Sequence, residues 1–279
     1  MHRIKAVFIA TYMMALMASL ALSIWQLATA EAATAWWGVL LAAAVPMAFF
    51  TRVFVGSVAR TGESLWWIPA AGALGVVVAA MQGGVAAPSI VALLVGVVMG
   101  ALYTTWYSRF GGRPNTQLAK HQVLPDFPLE DINGSAVSSH ELISKPALWL
   151  FFRGNWCPLC MAQIKEIAAQ YRSLADRGVE VLLISPQPQS HSEALAKRFD
   201  APMRFLTDRN NRAAAQLGIL AEGGLPMGMQ ALGYDSDVPM PTVLITASGG
   251  KIVYSDLTVN YRIRPEPGDF IEALDRAGL

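Results

Sequence analysis

The chain has 279 residues, of which 54% are hydrophobic and only 15% charged, with a net charge of +1. That balance excludes an ordinary soluble domain of this length and leaves no electrostatic footprint for nucleic acid. It contains two cysteines, which excludes a disulfide-stapled secreted fold.

The apolar residues concentrate at one end. Between Ala6 and Ser108 charges are almost absent, whereas from Arg109 onward they are frequent. A helix needs roughly 20 apolar residues to cross a bilayer. The stretches at about 6–27, 35–55, 65–81 and 87–107 meet or nearly meet that length, so residues 1–108 are predicted to form an anchor of about four transmembrane helices. The third stretch is the shortest, and Gln82-Gly83-Gly84 predicts a tight turn into the fourth. Trp36, Trp37, Trp66, Trp67, Trp106 and Tyr107 fall at segment ends, where interfacial aromatics belong. Ala28-Thr29-Ala30 resembles a signal-cleavage site, but the preceding apolar run is long for a signal peptide and reads as an uncleaved helix.

Basic residues flank alternate ends of these segments: Arg3 and Lys5 before the first, Arg52 and Arg60 after the second, Arg109, Arg113 and Lys120 after the fourth. Basic loops stay on the cytoplasmic side. The expectation is an integral protein of the inner or plasma membrane whose C-terminal domain faces the cytoplasm. No Asp, Glu, Lys, His or Cys lies in the middle of a span, which favours an anchor over a transporter, proton relay or haem site. Gly96-Val97-Val98-Met99-Gly100 either permits close helix approach or reflects a Gly- and Ala-rich span.

Residues 109–121 read as a flexible linker, with Gly111-Gly112 and Pro114, and 122–279 as a second domain. Phe127–Leu129 and Ser135–Val137 flank Asn133-Gly134, a hairpin signal. Ala147–Phe152 is a continuous apolar run, as a buried strand requires. Helical spacing follows from Cys157 to about Arg177, closed by Gly178. Val179–Ile184 is predicted as a strand, Ser192–Phe199 as a helix, Arg204–Leu206 as a strand and Asn211–Leu217 as a helix. Ala221–Met240 has no clear periodicity. Thr242–Thr246 and Lys251–Ser255 predict a hairpin around Ser248-Gly249-Gly250, and Gly268–Ala277 a closing helix. Strands alternating with helices predict an α/β domain with a largely parallel sheet and an antiparallel edge.

The chemistry points to Trp156-Cys157-Pro158-Leu159-Cys160, at the junction of a strand and a helix. A cysteine at a helix N-terminus meets free N–H groups and the positive end of the helix dipole, which favour the nucleophilic thiolate. Pro158 suits the first turn because its missing N–H costs nothing there. Cys160, one turn along, can resolve an intermediate on Cys157 into a disulfide. Zinc needs four ligands, and neither a second cysteine pair nor suitably spaced histidines accompany the motif, so no metal or other cofactor is expected.

The run from Leu150 to Cys160 resembles the active-site strand and turn of the redoxin group, the alkyl hydroperoxide reductase/thiol-specific antioxidant and peroxiredoxin-like proteins. Leu124–Leu129 with Asn133-Gly134, Ser185-Pro186 after the second strand, Phe205–Asp208 and Ala215–Ile219 are similar to further parts of that family, so the likeness covers the soluble half. It implies a thioredoxin-like (redoxin) fold. Met240-Pro241-Thr242 looks like the segment that carries the cis-proline of such folds, which implies that these three residues shape a substrate groove with the Met240 backbone open for pairing, facing Trp156 and Pro158. Arg153 would stabilise the thiolate or hold an anionic substrate, or else be a solvated strand-end residue. Glu166 reads as part of a solvated helix face. Arg262 and Arg264, before Pro265-Glu266-Pro267, carry no assigned role. The 221–240 stretch would line the groove or be an insertion.

Two helpers of the resemblance are missing. Typical peroxiredoxins carry a Thr or Ser three residues before the reactive cysteine, where this chain has Gly154. Thioredoxins carry a buried Asp six residues before it, where this chain has Phe151. The resemblance therefore implies a membrane-anchored thiol oxidoreductase cycling Cys157 and Cys160, with either a hydroperoxide or a protein disulfide as substrate and a thioredoxin-like cellular dithiol as donor. Alternatives are a redoxin-type copper-handling protein, although no histidine follows His191, and a membrane-bound redox-sensing module.

Overall fold

The computed structural model describes residues 2–30, 33–199, 201–234 and 237–279, and it divides into two compact units. The first holds residues 3–57 and 62–109; the second holds residue 2, residues 58–61 and residues 110–279.

The first unit is helical: α1 His2–Thr29, α2 Trp36–Val55, α3 Trp67–Gly83 and α4 Ala87–Tyr107. Helices α1, α2 and α4 are long and apolar enough to cross a membrane, by length and composition, and α3, with 17 residues, is shorter. Glycines let these helices approach backbone to backbone. A Cβ on Gly38 would lie 2.2 Å from the Gly75 carbonyl oxygen, and one on Gly72 would lie 2.3 Å from the carbonyl carbon of Gly96. Gly96, the first glycine of the Gly-x-x-x-Gly pattern, therefore serves close packing. Tyr12, Phe49, Phe50 and Tyr103 fill wider gaps, with the Phe50 and Tyr103 ring centroids 5.0 Å apart. The outer face is apolar as well: Met14, Met17, Leu74, Val77 and Leu94 are exposed.

The second unit is built on a seven-stranded sheet in the order β2-β1-β5-β4-β3-β8-β9. Its strands are β1 Pro128–Glu130, β2 Ala136–Ser138, β3 Ala147–Phe151, β4 Glu180–Ser185, β5 Arg204–Thr207, β8 Thr242–Thr246 and β9 Ile252–Asp256. Strands β3, β4 and β5 run parallel, with Trp149 opposite Leu182; β8 runs antiparallel to β3, with Trp149 opposite Leu244. The parallel centre is apolar on both faces because helices cover both, and every residue of β3 is buried. One face carries Phe127, Trp149, Phe151, Ile184, Leu206, Leu217 and Leu244 in a single core. The Trp149 indole, buried there, donates to Thr246 Oγ1 at 2.9 Å.

The helices of this unit are α5 Ser139–Leu142, α6 Pro158–Ala169, α7 Tyr171–Ala175, α8 Gln189–Ala196, α9 Arg212–Gln216 and α10 Pro267–Ala277. The single helix expected over 157–177 is interrupted at Gln170 (φ −104°, ψ 11°), and the chain restarts as α7. Helix α9 begins one residue late because Asn210 and Asn211 are left-handed, at φ 57° and 52°. The 221–240 stretch is closed at its base by a two-stranded ladder, β6 Leu220–Ala221 with β7 Val238–Pro239; its Asp235 and Ser236 lie outside the described residues.

The segment expected to be a flexible linker packs onto the second unit instead. Phe110 N–H donates to Val259 O at 2.7 Å, His121 N–H donates to Ile252 O at 2.7 Å, and Leu118 is buried in the core. Its Gly and Pro residues shape a path over the surface, where side chains of Arg113 and Asn115 satisfy otherwise unpaired carbonyls.

The glycine contacts yield a stability prediction. Gly72→Val inserts side-chain atoms where backbone already lies within van der Waals distance, and overpacking of this kind costs on the order of 1–3 kcal/mol. Thermal unfolding of the full chain in detergent is expected to shift down by several degrees. An unchanged midpoint would show that the helices do not approach this closely.

Candidate active site

The site is assembled where β3 ends. Phe152 N–H still donates to Ile184 O at 2.9 Å, and the chain then leaves the sheet. Gly154 takes φ 139°, a conformation costly for residues with a Cβ, and Cys157 N–H closes the turn on Gly154 O at 3.2 Å. Asn155 N–H donates to Gln187 Oε1 at 2.8 Å, and the buried Gln187 is itself fixed by a 3.1 Å bond to Ser192 Oγ. Tyr234 donates its hydroxyl proton to Asn155 Oδ1. The turn is thus braced from the loop after β4 and from the 221–240 stretch.

Cys157 is the N-cap of α6, and Pro158 occupies its first turn. Cys157 Sγ accepts the Cys160 N–H at 3.4 Å. Both cysteines are reduced and buried, Cys157 with 3% of its surface exposed and Cys160 with none. Cys160 Sγ accepts a long bond, 3.8 Å, from Arg264 Nη2. Arg264 is buried; it also donates to Tyr261 O at 2.8 Å and, at 3.4 Å, to Oε1 of Gln163 on α6.

The two sulfurs titrate as one unit. Burial opposes charge on either. At Cys160 that opposition is outweighed by the hydrogen bond from Cys157, by the Arg264 guanidinium and by the Arg153 amide and guanidinium, which bring its thiol down to about 6. Burial, and then the bond to Cys160 and repulsion from its charge, hold Cys157 well above the ordinary thiol range. A single negative charge on the pair is therefore favoured at Cys160 over Cys157. The helix N-terminus draws the charge toward Cys157, as the sequence implies, while Arg264 draws it toward Cys160.

Arg264 is the site residue that the sequence analysis left without a role. The one signal was a pair of arginines just before a helix N-terminus, where the dipole disfavours cations unless they have partners elsewhere. Its segment is held firmly. Thr61 N–H donates to Arg262 O at 3.0 Å, and Arg262 Nη1 donates to Thr61 Oγ1 at 2.8 Å. Arg60 donates to the carbonyls of Arg264 and Pro265 and is paired with Glu166. Glu166 is thus an ion-pair partner and not simply a solvated residue. Asp256, at the end of β9, faces the same arginine; burial raises its carboxyl to about 6 despite Arg264 and Arg113.

The other predicted site residues fall in two groups. Arg153 and Trp156 lie beside the dithiol: the guanidinium stacks 4.8 Å from the indole centroid and donates to Gly224 O. Trp156 packs with Tyr234 against Ala221, Leu225, Val238 and Met240. Met240, Pro241 and Thr242 are all buried, and their polar groups are occupied. Met240 N–H donates to Ile219 O at 2.7 Å, so its backbone is not open for pairing. Pro241 O accepts Arg113 Nη1 at 3.0 Å, and Thr242 Oγ1 accepts Arg113 Nη2 at 2.9 Å. The cis-proline implied by the resemblance is not found: no peptide bond among the described residues is cis. The trans form is the favoured one for an X–Pro bond that no turn constrains, and here the chain runs straight from β7 into β8. Among the described residues no group of three or more His, Cys, Asp and Glu side chains is arranged to hold a metal ion.

A parallel β3-β4-β5 centre flanked by an antiparallel β8-β9 hairpin, with a Cys-x-x-Cys at the junction of its strand and helix, defines the second unit as a thioredoxin-like fold. The sequence profile of the AhpC/TSA family matches residues 121–255. The match lies within the second unit, which is similar to that family. Peroxiredoxin Q, chloroplastic, of Gentiana triflora is 31% identical over 112 residues, which are 39% of this chain and 52% of the relative, so the chain spans about half the length of that relative. The thiol-disulfide oxidoreductase ResA of Halalkalibacterium halodurans is 24% identical over 161 residues, 57% of this chain and 80% of ResA. Among solved structures, reduced Prx3 of Vibrio vulnificus in complex with hydrogen peroxide is 16% identical, with a TM-score of 0.49 over 56% of this chain and 98% of that one.

The guanidinium beside Cys160 makes a testable demand. Removing an opposite charge at such range raises a thiol pKa by about one unit or more. Arg264→Gln is expected to move the pH of half-maximal iodoacetamide alkylation up by that amount, with less thiolate at pH 7. An unmoved profile would remove Arg264 from the site's electrostatics.

Proposed function

We propose that the chain is a membrane-anchored thiol oxidoreductase that reduces a hydroperoxide by cycling Cys157 and Cys160 between dithiol and disulfide. The observation that carries this reading is the buried Cys157–Cys160 pair at the start of α6, with the Arg264 guanidinium 3.8 Å from Cys160 Sγ. The likeness to peroxiredoxin Q supports the same chemistry.

The steps follow from the geometry. Proton exchange within the pair populates a minor form with the charge on Cys157, favoured by the helix N-terminus, and this Cys157 thiolate, the more exposed sulfur, attacks one peroxide oxygen. The S–O bond forms as the O–O bond breaks, and the departing oxygen takes a proton to leave as water or an alcohol. Cys157 is now a sulfenic acid. Cys160 attacks its sulfur, a disulfide forms and water leaves. A thioredoxin-like dithiol donor returns the pair to the reduced state with two electrons and two protons.

Small oxidants are favoured because Cys157 has only 3% of its surface exposed, and in-line attack on a protein disulfide needs an accessible sulfur. Reduction of protein disulfides is a second reading, favoured by the likeness to the thiol-disulfide oxidoreductase ResA. The anchor rests on three helices long and apolar enough to span a bilayer and on their apolar outer surface. The alternating basic loops favour a cytoplasmic site, facing a reducing pool.

Stopped-flow mixing of the reduced full chain in detergent with hydrogen peroxide and with a model disulfide tests the substrate. Peroxide is expected to react faster by at least about tenfold; the reverse order would establish the second reading. Cys157→Ser is expected to abolish reaction with either oxidant. Cys160→Ser is expected to retain one oxidation, trappable by dimedone as a sulfenic acid, but no turnover. Full activity in Cys157→Ser would sink the proposal. A C-terminal reporter active only in the cytoplasm tests the membrane side, and a silent reporter would invert the topology.

A further inference from the structure

We propose that the indole N–H of Trp156 is the hydrogen-bond donor to the oxygen of the bound oxidant, supplied from the place where a side chain on residue 154 would stand. The inference rests on the reading of Cys157 as the sulfur that attacks a hydroperoxide and adds a residue to it.

Two observations carry it. Trp156 Nε1 is buried and finds no hydrogen-bond partner among the described residues. An N–H withdrawn from water without an acceptor is destabilising, so this donor is left available to an acceptor that the described residues do not supply. Second, a Cβ built on Gly154 would fall 2.7 Å from Trp156 Nε1 and 2.8 Å from Cδ1. The indole edge therefore fills the volume that a side chain at position 154 would need, three residues before Cys157. Resemblance places a hydroxyl at that position, and this chain has none. The missing donor is replaced from two residues further along.

The indole is held for this role. Arg153 stacks on it at 4.8 Å, and Tyr234 meets it edge-on at 6.5 Å between centroids. Tyr234 and Arg153 are in turn tied to Asn155 and Gly224 O. A rigid, preorganised donor stabilises charge that develops on oxygen as the O–O bond breaks, without reorganising during the reaction. Glycine at 154 is then needed twice, for its φ of 139° and for the room it leaves the indole.

Trp156→Phe keeps a ring and removes the donor. In the full chain in detergent, the second-order rate constant with hydrogen peroxide is expected to fall by about ten- to hundredfold. The rate with a model disulfide and the pH profile of iodoacetamide alkylation are expected to stay within about twofold and a few tenths of a pH unit. Equal losses toward peroxide and disulfide, or a moved alkylation profile, would make Trp156 a packing residue and overturn the proposal. An unchanged peroxide rate would overturn it alone, leaving Cys157 as the attacking sulfur. A wild-type chain inert to peroxide would overturn both readings.

Discussion

Burial opposes negative charge on both sulfurs of the Cys157–Cys160 pair, and the guanidinium of Arg264, 3.8 Å from Cys160 Sγ, is the group that does most to reverse it from outside the motif. Everything else near the dithiol serves that balance. The apolar strand β3 and the start of α6 remove the sulfurs from water, which strengthens every interaction between them. The two sulfurs lie one helical turn apart, with the Cys160 N–H donating to Cys157 Sγ at 3.4 Å, so the charge state of one affects the other. Thioredoxins use a buried carboxyl for this work, and Phe151 takes that position here. A cationic partner to the second sulfur is a different solution to the same problem.

Holding an arginine inside a protein requires that its other donors be satisfied. Arg264 meets Tyr261 O and Gln163 Oε1, and its own backbone carbonyl accepts Arg60. Arg113 does similar work next door, bonding Pro241 O, Thr258 O and Thr242 Oγ1. These bonds consume the edge of β8 that the family resemblance presents as a substrate groove. Access to the dithiol is correspondingly narrow: Cys157 has 3% of its surface exposed and Cys160 none.

The two units differ in what their surfaces present. In the second, polar groups face outward and the sheet is buried on both faces. In the first, apolar side chains line the outside as well, so apolar burial does not by itself separate inside from outside. Close packing does so instead: Gly38, Gly72, Gly75 and Gly96 bring backbones together where no side chain fits. Contacts of this kind rest on van der Waals packing between backbones.

The helices of the first unit, the strand order of hairpin, β3, β4 and β5, and the position of the dithiol at the strand-to-helix junction were legible in the sequence. Each depends on local periodicity, turn residues and composition, which neighbours along the chain express directly. The break at Gln170, the left-handed Asn210 and Asn211 and the packing of residues 110–121 were not, because each is decided by contacts distant in sequence. The same holds within the site. Cys157, Cys160, Pro158 and Gly154 lie in one short run and announce themselves. Arg264 reaches Cys160 from 104 residues away, and the Trp156 indole takes the room of residue 154 only once the turn has closed on itself. The sequence by itself determined which atoms can do thiol chemistry. The tertiary structure decided which groups surround those atoms, Arg264 beside Cys160 and the Trp156 indole against Gly154, because the surroundings of a buried site depend on distance through space and not along the chain.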